Sequence, residues 1–229
     1  MFPHLAGPES REESMAGRIF VVSDVVCPWC LVGKRRLERA LAETGRTDLA
    51  LHWLPFELNP DMPPDGMPRA NYRARKFGAA RAAELDARME AIGRDEGIAF
   101  AFDRVTRTPN TRRAHMLIAH AGRFGRADGI VERLFRAYFE EARDIGDADV
   151  LLEVARAEGL DEAEVQAALD SDELRAEVAS LEGRAGEMGI SGVPFFIPEG
   201  GQPVSGAQGT ETWVATLRTL PRLAAAASG

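Results

Sequence analysis

Cysteine is nearly absent from this chain. Only Cys27 and Cys30 occur in 229 residues. So small a number excludes a disulfide-stapled scaffold and a four-cysteine zinc site. Histidine is also scarce. His4, His52, His115 and His120 are the whole complement; His115 and His120 are five positions apart, and no H-x3-H spacing occurs. No metal site and no bound cofactor are therefore expected. Lysine is confined to Lys34 and Lys76, and every other basic residue is arginine. With much alanine, this composition matches a GC-rich bacterial genome. Excess positive charge is missing as well: the formal net charge is −8 and no basic tract occurs, so nucleic acid is not an expected partner.

Long apolar runs are missing too. None approaches the ~20 residues of a membrane span, so no membrane association is expected. The first 17 residues carry Pro3, Pro8 and the polar run Glu9 to Ser14, without the apolar region of a secretory leader. Residues 1–17 are expected to be a disordered extension, with Met15 as a candidate start, and residues 224–229 a frayed tail. The expected location is cytoplasmic. In a reducing compartment a lone pair of cysteines points to catalysis more than to stapling.

What the chain does have is 45% hydrophobic residues, ample for a core, and one informative stretch, Ser23-Asp24-Val25-Val26-Cys27-Pro28-Trp29-Cys30. An apolar β-like run, Arg18 to Val22, feeds it, and an amphipathic helix, roughly Pro28 to Thr44, leaves it. Two cysteines at i and i+3 at a helix start lie on one face, one turn apart. Free N–H groups and the positive end of the helix dipole favour a thiolate there. Cys27 is thus the expected nucleophile, with a lowered pKa, and Cys30 the resolving thiol. Pro28 suits the first helical position, and Trp29 offers a flat apolar surface to a substrate. A zinc half-site, a structural disulfide closing a tiny loop and two inert core cysteines are the competing explanations.

The remaining pattern orders the elements. In the cysteine helix Leu31, Leu37 and Leu41 form the expected core face, with Lys34, Arg35, Arg36 and Glu38 mostly outside. Gly45 is a plausible C-cap. A second strand, Leu49–Leu54, stops at Pro55, and two largely apolar strands around a helix imply a parallel crossover. A proline-rich loop runs from Pro55 to Pro68. Helices are expected near Arg69–Gly78, Ala80–Glu96, Asn110–Arg123, Ala127–Arg143, Asp147–Glu158, Glu162–Leu169 and Asp172–Gly189. Gly97 to Phe102 alternates like a short strand or an extended loop. A strand within Ser191–Ile197, a turn at Pro198–Gly201, a returning strand at Gln202–Ser205 and a helix at Thr210–Leu220 close the chain.

The order β-α-β, helices, then β-β-α specifies an α/β protein. Its fold class is thioredoxin-like, with an all-helical domain inserted between the βαβ and ββα halves. The expected division is residues 18–66 and 188–223 for the two halves of the core and 67–187 for the insertion. This topology brings Val193-Pro194 beside the dithiol. A cis bond there is favoured over a trans edge-strand proline. Asn110 is a helix cap or a pocket residue, and Asp24 and Glu57 are candidate acids near Cys27. His115 reads as a partly buried packing residue.

Several motifs together resemble a known family. They are Ser23–Cys30 followed by Gly33-Lys34-Arg35-Arg36-Leu37; Pro55 to Pro63; Thr108-Pro109-Asn110-Thr111 with Ala114-His115; Leu134 to Phe139; and Gly192 to Phe196 with Val204 to Gln208. The chain is similar to the DsbA-type thioredoxin-fold oxidoreductases, specifically the FrnE-like branch, over about residues 18–217. The resemblance implies dithiol–disulfide exchange with Cys27 attacking, Cys30 resolving and Pro194 as the cis-proline. Pro28, Trp29, Val193, Asn110 and Ser205 are the accompanying candidates for substrate binding. The branch is linked to polyketide biosynthesis. It is related to 2-hydroxychromene-2-carboxylate isomerases and kappa-class glutathione transferases, which typically carry serine where Cys27 stands and use glutathione.

The expected function is therefore thiol–disulfide oxidoreductase or isomerase. Its substrate would be a protein or small molecule bearing thiols or a disulfide, with glutathione as a possible co-substrate and a monomer or homodimer as the working form. The dithiol potential is not readable from Pro28-Trp29; related folds span roughly −270 to −120 mV. Two other functions compete. A glutathione-dependent isomerase or transferase would bind glutathione at Cys27, Val193 and Ser205–Gln208, and would survive Cys30→Ser. A non-catalytic, chaperone-like binding module would survive loss of both thiols.

Overall fold

The computed structural model describes residues 17–222. The expected extension (except Gly17) and frayed tail lie outside these residues.

Strand β1 (Gly17–Ser23) is central in a four-stranded sheet ordered β2-β1-β5-β6. It pairs in parallel with β2 (Leu49–Pro55), from Gly17↔Leu49 to Ser23↔Pro55. On its other side it pairs antiparallel with β5 (Phe195–Pro198), from Ile19↔Pro198 to Val22↔Phe195. β6 (Val204–Ser205) closes that edge, with Phe196 opposite Val204. Cover on both faces explains the unbroken apolar run from Ile19 to Val22: such a strand needs apolar residues at odd and even positions alike. Ile19 and Val21 pack with Leu37, Ala40, Phe196, Trp213 and Leu217. Val22 faces the other way, toward Ala185 and Ile190.

The first face is covered by α1 (Pro28–Thr44) and α9 (Thr210–Thr219), which pack on each other. Phe196 and Trp213 meet edge to face there at 4.9 Å, a geometry worth about 0.5–1.5 kcal/mol beyond burial. α1 starts at Pro28, where no N–H is needed. It ends at Gly45, whose φ of 60° is left-handed and whose N–H bonds to Ala42 O. Arg46 then lies buried, with its guanidinium donating to Asp48 and to the carbonyls of Leu217, Leu220 and Pro221. It thereby satisfies carbonyls that the end of α9 leaves without helical partners.

Seven helices lie in sequence between β2 and β5. They are α2 (Arg69–Phe77), α3 (Ala79–Glu96), α4 (Arg112–Gly122), α5 (Ala127–Phe135), α6 (Ala148–Ala157), α7 (Glu162–Leu169) and α8 (Asp172–Glu187). Asp147, Asp161 and Ser171 cap α6, α7 and α8 by accepting N–H bonds from Asp149, Glu164 and Leu174. α4, α5 and α8 pack against β2. The helical core merges with the dithiol region, because Val25, Cys27, Cys30, Leu31 and Val32 share one buried cluster with residues of α4, α5, α7 and α8.

Three sequence expectations change, and one open between short strand and extended loop resolves to loop. The insertion holds a two-residue ladder, β3 (Met67–Pro68) with β4 (Arg107–Thr108). Gly97–Phe102 forms no strand. Ala101 N–H bonds to Phe139 O, and Phe100 and Phe102 stack on each other at 4.7 Å and meet the Phe139 ring edge to face at 5.4 and 6.0 Å, so the alternation records packing and not pairing. The helix expected over Ala127–Arg143 stops at Phe135 and continues as a π-helical turn, Arg136–Glu140. Lys34, expected outside, is buried, because Glu38, Glu132 and Asp128 surround its ammonium.

Candidate active site

Cys27 occupies the N-cap position of α1 with an extended backbone (φ −92°, ψ 111°). Its N–H bonds to Asp24 O at 3.0 Å, and its own carbonyl accepts the N–H of Cys30 at 3.0 Å. The turn from Ser23 to Cys27 is thus tied at both ends, and the helix brings Cys30 round to the same side. Both cysteines are free thiols and both are buried. Trp29, between them in sequence, is 37% exposed.

Cys27 Sγ approaches Val193 O at 3.8 Å and can donate to it. The Val193–Pro194 bond is cis, and Pro194 O accepts the Gly206 N–H at 2.9 Å. Ser205 sits on the edge strand opposite Phe195, exposed, with its carbonyl accepting from Gln208. The sequence-expected Cys27, Cys30, Val193 and Pro194 are therefore neighbours, with Ser205 on the edge strand.

Asn110 is used differently. Its Oδ1 accepts the Arg112 N–H, and its Nδ2 donates to Met62 O at 2.8 Å. It fastens the proline-rich loop to the start of α4, and both ends of its amide are engaged in that work.

The Cys30 thiol is pushed well up from its ordinary pKa. Burial is the main cause, and the hydrogen bond and charge of the Cys27 thiol add to it. The Ser23 hydroxyl and the Asp24 main-chain N–H facing its sulfur pull the other way. Cys30 is a thiol kept protonated until something in the site favours its ionisation.

Behind this turn lies a buried polar cluster that sequence spacing does not assemble. Asp24 Oδ2 accepts the Leu58 N–H at 2.8 Å and Oδ1 the Val26 N–H at 3.4 Å. His115 Nε2 stands 3.5 Å from Asp24 Oδ1. Glu57 pairs with Arg112 at 2.7 Å. Glu182 of α8 is held protonated up to about 7, first by burial and then by the charge of Glu57. The sequence marks Asp24 and Glu57 as candidate acids, reads His115 only as packing, and gives no sign of Glu182. Nothing local marks Glu182; the one available signal for the others is that Asp24, Glu57 and His115 each fall inside a family-like motif.

Among the described residues no group of three or more His, Cys, Asp or Glu side chains could hold a metal ion, and no helix is long and apolar enough to cross a membrane.

Comparison with known proteins bears on the family and the fold. The family model described as DSBA-like thioredoxin domain matches residues 18–218. The protein YwbO of Bacillus subtilis is 30% identical over 200 residues, 87% of this chain and 94% of that one. The crystal structure of a probable DsbA oxidoreductase from Streptomyces coelicolor is similar with a TM-score of 0.80 at 31% identity, covering 91% of this chain and 93% of that one. The cytosolic disulfide reductase DsbM from Pseudomonas aeruginosa, solved with GSH, shares the fold, with a TM-score of 0.63 at 22% identity over 88% and 98% of the two chains.

Proposed function

This chain belongs to the DSBA-like thioredoxin domain family, and from that premise we propose that Cys27 and Cys30 are its redox couple in thiol–disulfide exchange. The observation that carries the reading is the pairing of the two thiols at the start of α1 beside Val193 O. In the oxidised form a substrate thiolate attacks Cys27 Sγ. The intramolecular S–S bond breaks, Cys30 leaves with the electron pair and takes up a proton, and Cys27 carries the substrate in a mixed disulfide. A second substrate thiolate attacks the substrate sulfur of that bond. Substrate disulfide departs, and Cys27 leaves as thiolate. Two substrate thiols are oxidised and one enzyme disulfide is reduced. The reverse sequence reduces a disulfide, and the direction follows from the potential of the pair against its surroundings.

In this reading Trp29 and Pro28 meet the substrate from the helix, and the Val193–Pro194 segment and Ser205 line the opposite side. The cis-proline belongs to the site by its place beside the cysteines. The substrate class is a protein or small molecule with thiols or a disulfide, and the cytoplasm is the proposed location. Asn110 acts on the site only through the loop it fastens.

The test is a redox titration. The protein is equilibrated in glutathione buffers, Trp29 fluorescence is read, and thiol labelling confirms the state. A reversible two-electron transition is expected. Cys30→Ser should accumulate mixed disulfide with substrate, and Cys27→Ser should not. If no intramolecular disulfide forms at any poise, the dithiol reading fails, and a glutathione-dependent isomerase or transferase takes its place. That second reading shares with the DsbM disulfide reductase, solved with GSH, only the binding of glutathione, and it requires activity to survive Cys30→Ser. A chaperone-like module would be indicated only if function survived loss of both thiols.

A further inference from the structure

The cluster behind the dithiol turn has a charge arrangement that the exchange reaction does not use. Four segments meet there: the Ser23–Cys27 turn brings Asp24, the loop after β2 brings Glu57, α4 brings Arg112 and His115, and α8 brings Glu182. Asp24 is fully buried, the Glu57 side chain is 1% exposed and the His115 side chain 2%. His115 Nε2, Glu57 Oε2 and Glu182 Oε1 are buried without a hydrogen-bond partner among the described residues. Polar atoms left in that state are costly, about 1–3 kcal/mol each, so they call for an explanation.

The charges pair unequally. Glu57 has the guanidinium of Arg112, which is always charged. Asp24 has His115, whose charge depends on its proton. Asp24 is also the residue whose backbone holds the thiols: its carbonyl takes the Cys27 N–H, and its N–H faces the Cys30 sulfur. Its carboxylate touches the N–H of Val26, the residue just before Cys27. A negative charge on the turn that carries the thiols disfavours a thiolate there, and a neutralised carboxylate does not.

We propose that His115 is a positioning residue that acts through Asp24, a counter-ion whose proton decides whether the carboxylate behind the Cys27–Cys30 turn is neutralised, so that thiolate formation at Cys27 follows the charge of His115. The proposal rests on the reading of Cys27 as the reactive thiol. Burial pulls the imidazole down, but the facing carboxylates of Asp24, Glu182 and Glu57 more than reverse this and hold it above its ordinary range. Two other groups bear on the pair: Tyr138 of the π-helical turn faces Asp24 with its pKa raised by burial, and Arg69 lies near Tyr138.

The test is the rate of iodoacetamide alkylation of Cys27 in the reduced full-length protein from pH 5 to 9, assigned by peptide mass. His115→Gln should slow alkylation at pH 6 by about tenfold, the ratio that one unit on the thiol's pKa produces. The two profiles should converge above the imidazole's titration. In an Asp24→Asn background, His115→Gln should change nothing. Superimposable profiles for His115→Gln and wild type overturn the proposal, as does an undiminished effect in the Asp24→Asn background. A second measurement needs no variant. Coupling between two sites is reciprocal, so the His115 imidazole, followed by NMR, should titrate higher with Cys27 as thiolate than with Cys27 alkylated. Equal titration in the two forms overturns the proposal. Alkylation needs a reactive thiol but no disulfide. A protein that never forms the Cys27–Cys30 bond would sink the redox reading while leaving the His115 result legible.

Discussion

At the scale of single residues, protons are held more tightly in this fold than in the open chain at two neighbouring positions. His115 binds its proton more strongly folded than unfolded. Its contribution to stability is therefore complete below its ordinary value of 6.5 and is lost as pH rises through the raised folded value. Glu182 acts in the same sense. Its contribution is complete below 4.5 and gone above about 7. The melting temperature should therefore fall as pH rises from about 5 to about 8. Glu182→Gln should flatten that fall. Discounted for its partial exposure, Glu182 should account for about 1 kcal/mol, which is about 2–4 °C in Tm for a chain of this size. Scanning calorimetry across that range checks it, and an unchanged slope in Glu182→Gln would sink it. None of this was legible in the sequence. Cys27, Cys30 and Pro194 stand out because a short spacing or a single residue type carries their signal. Asp24, Glu57, His115 and Glu182 become one cluster only when four distant segments meet.

At the scale of elements, α1 carries the dithiol and must lie close to the strand that brings Pro194. Gly33, one turn beyond Trp29, makes this possible. A Cβ there would stand 3.1 Å from Phe196 Cζ and 3.1 Å from Pro194 Cγ. Neither neighbour can retreat easily. Phe196 is buried edge to face against Trp213, and the proline ring is stiff. Gly33→Ala gains about 1 kcal/mol of helix propensity but overpacks the seam by about 1–3 kcal/mol. A net loss of about 1 kcal/mol is expected in urea unfolding, and a stabilised variant would show that the seam has slack. The sequence disclosed α1 well: Pro28 starts it, Gly45 ends it, and Leu31 and Leu37 are buried as their spacing predicts. It disclosed the helix after Ala127 less well. The residues that turn π-helical, Arg136 to Glu140, include Tyr138 and Phe139, whose rings pack at 4.9 Å. Packing of this kind leaves no periodic trace.

At the scale of the whole molecule, the basic face of α1 is the junction between the sheet and the inserted helices. Lys34 is buried against Glu38, Asp128 and Glu132. Arg35 pairs with Glu132 at 2.5 Å, Arg36 and Arg39 both reach Glu96 of α3, and Arg36 also donates to Ala207 O beyond β6. Periodicity places these cations on the solvent side because it sees one helix at a time. The inserted helices that cover them lie far along the chain, α5 about a hundred residues further on. Glu132 of α5 is the partner that Lys34 and Arg35 share. Burial alone would raise its pKa, but the Arg35 hydrogen bond and the charge of Lys34 hold it at about 2. A depressed carboxyl contributes stability above its ordinary value of 4.5, and that contribution is lost as pH falls toward about 2. Glu132→Gln leaves Lys34 buried with one anion fewer and removes the fork that Arg35 grips. Breaking a fully buried pair costs about 3–5 kcal/mol, and partial exposure of Glu132 reduces this to about 2 kcal/mol. Guanidinium chloride is unsuitable, since its salt screens the network, so urea unfolding at neutral pH is the measurement. A loss of about 2 kcal/mol that shrinks as pH falls toward about 3 is the expected result. A loss that stays constant with pH would mean that the Glu132 charge is not what joins α5 to the dithiol helix.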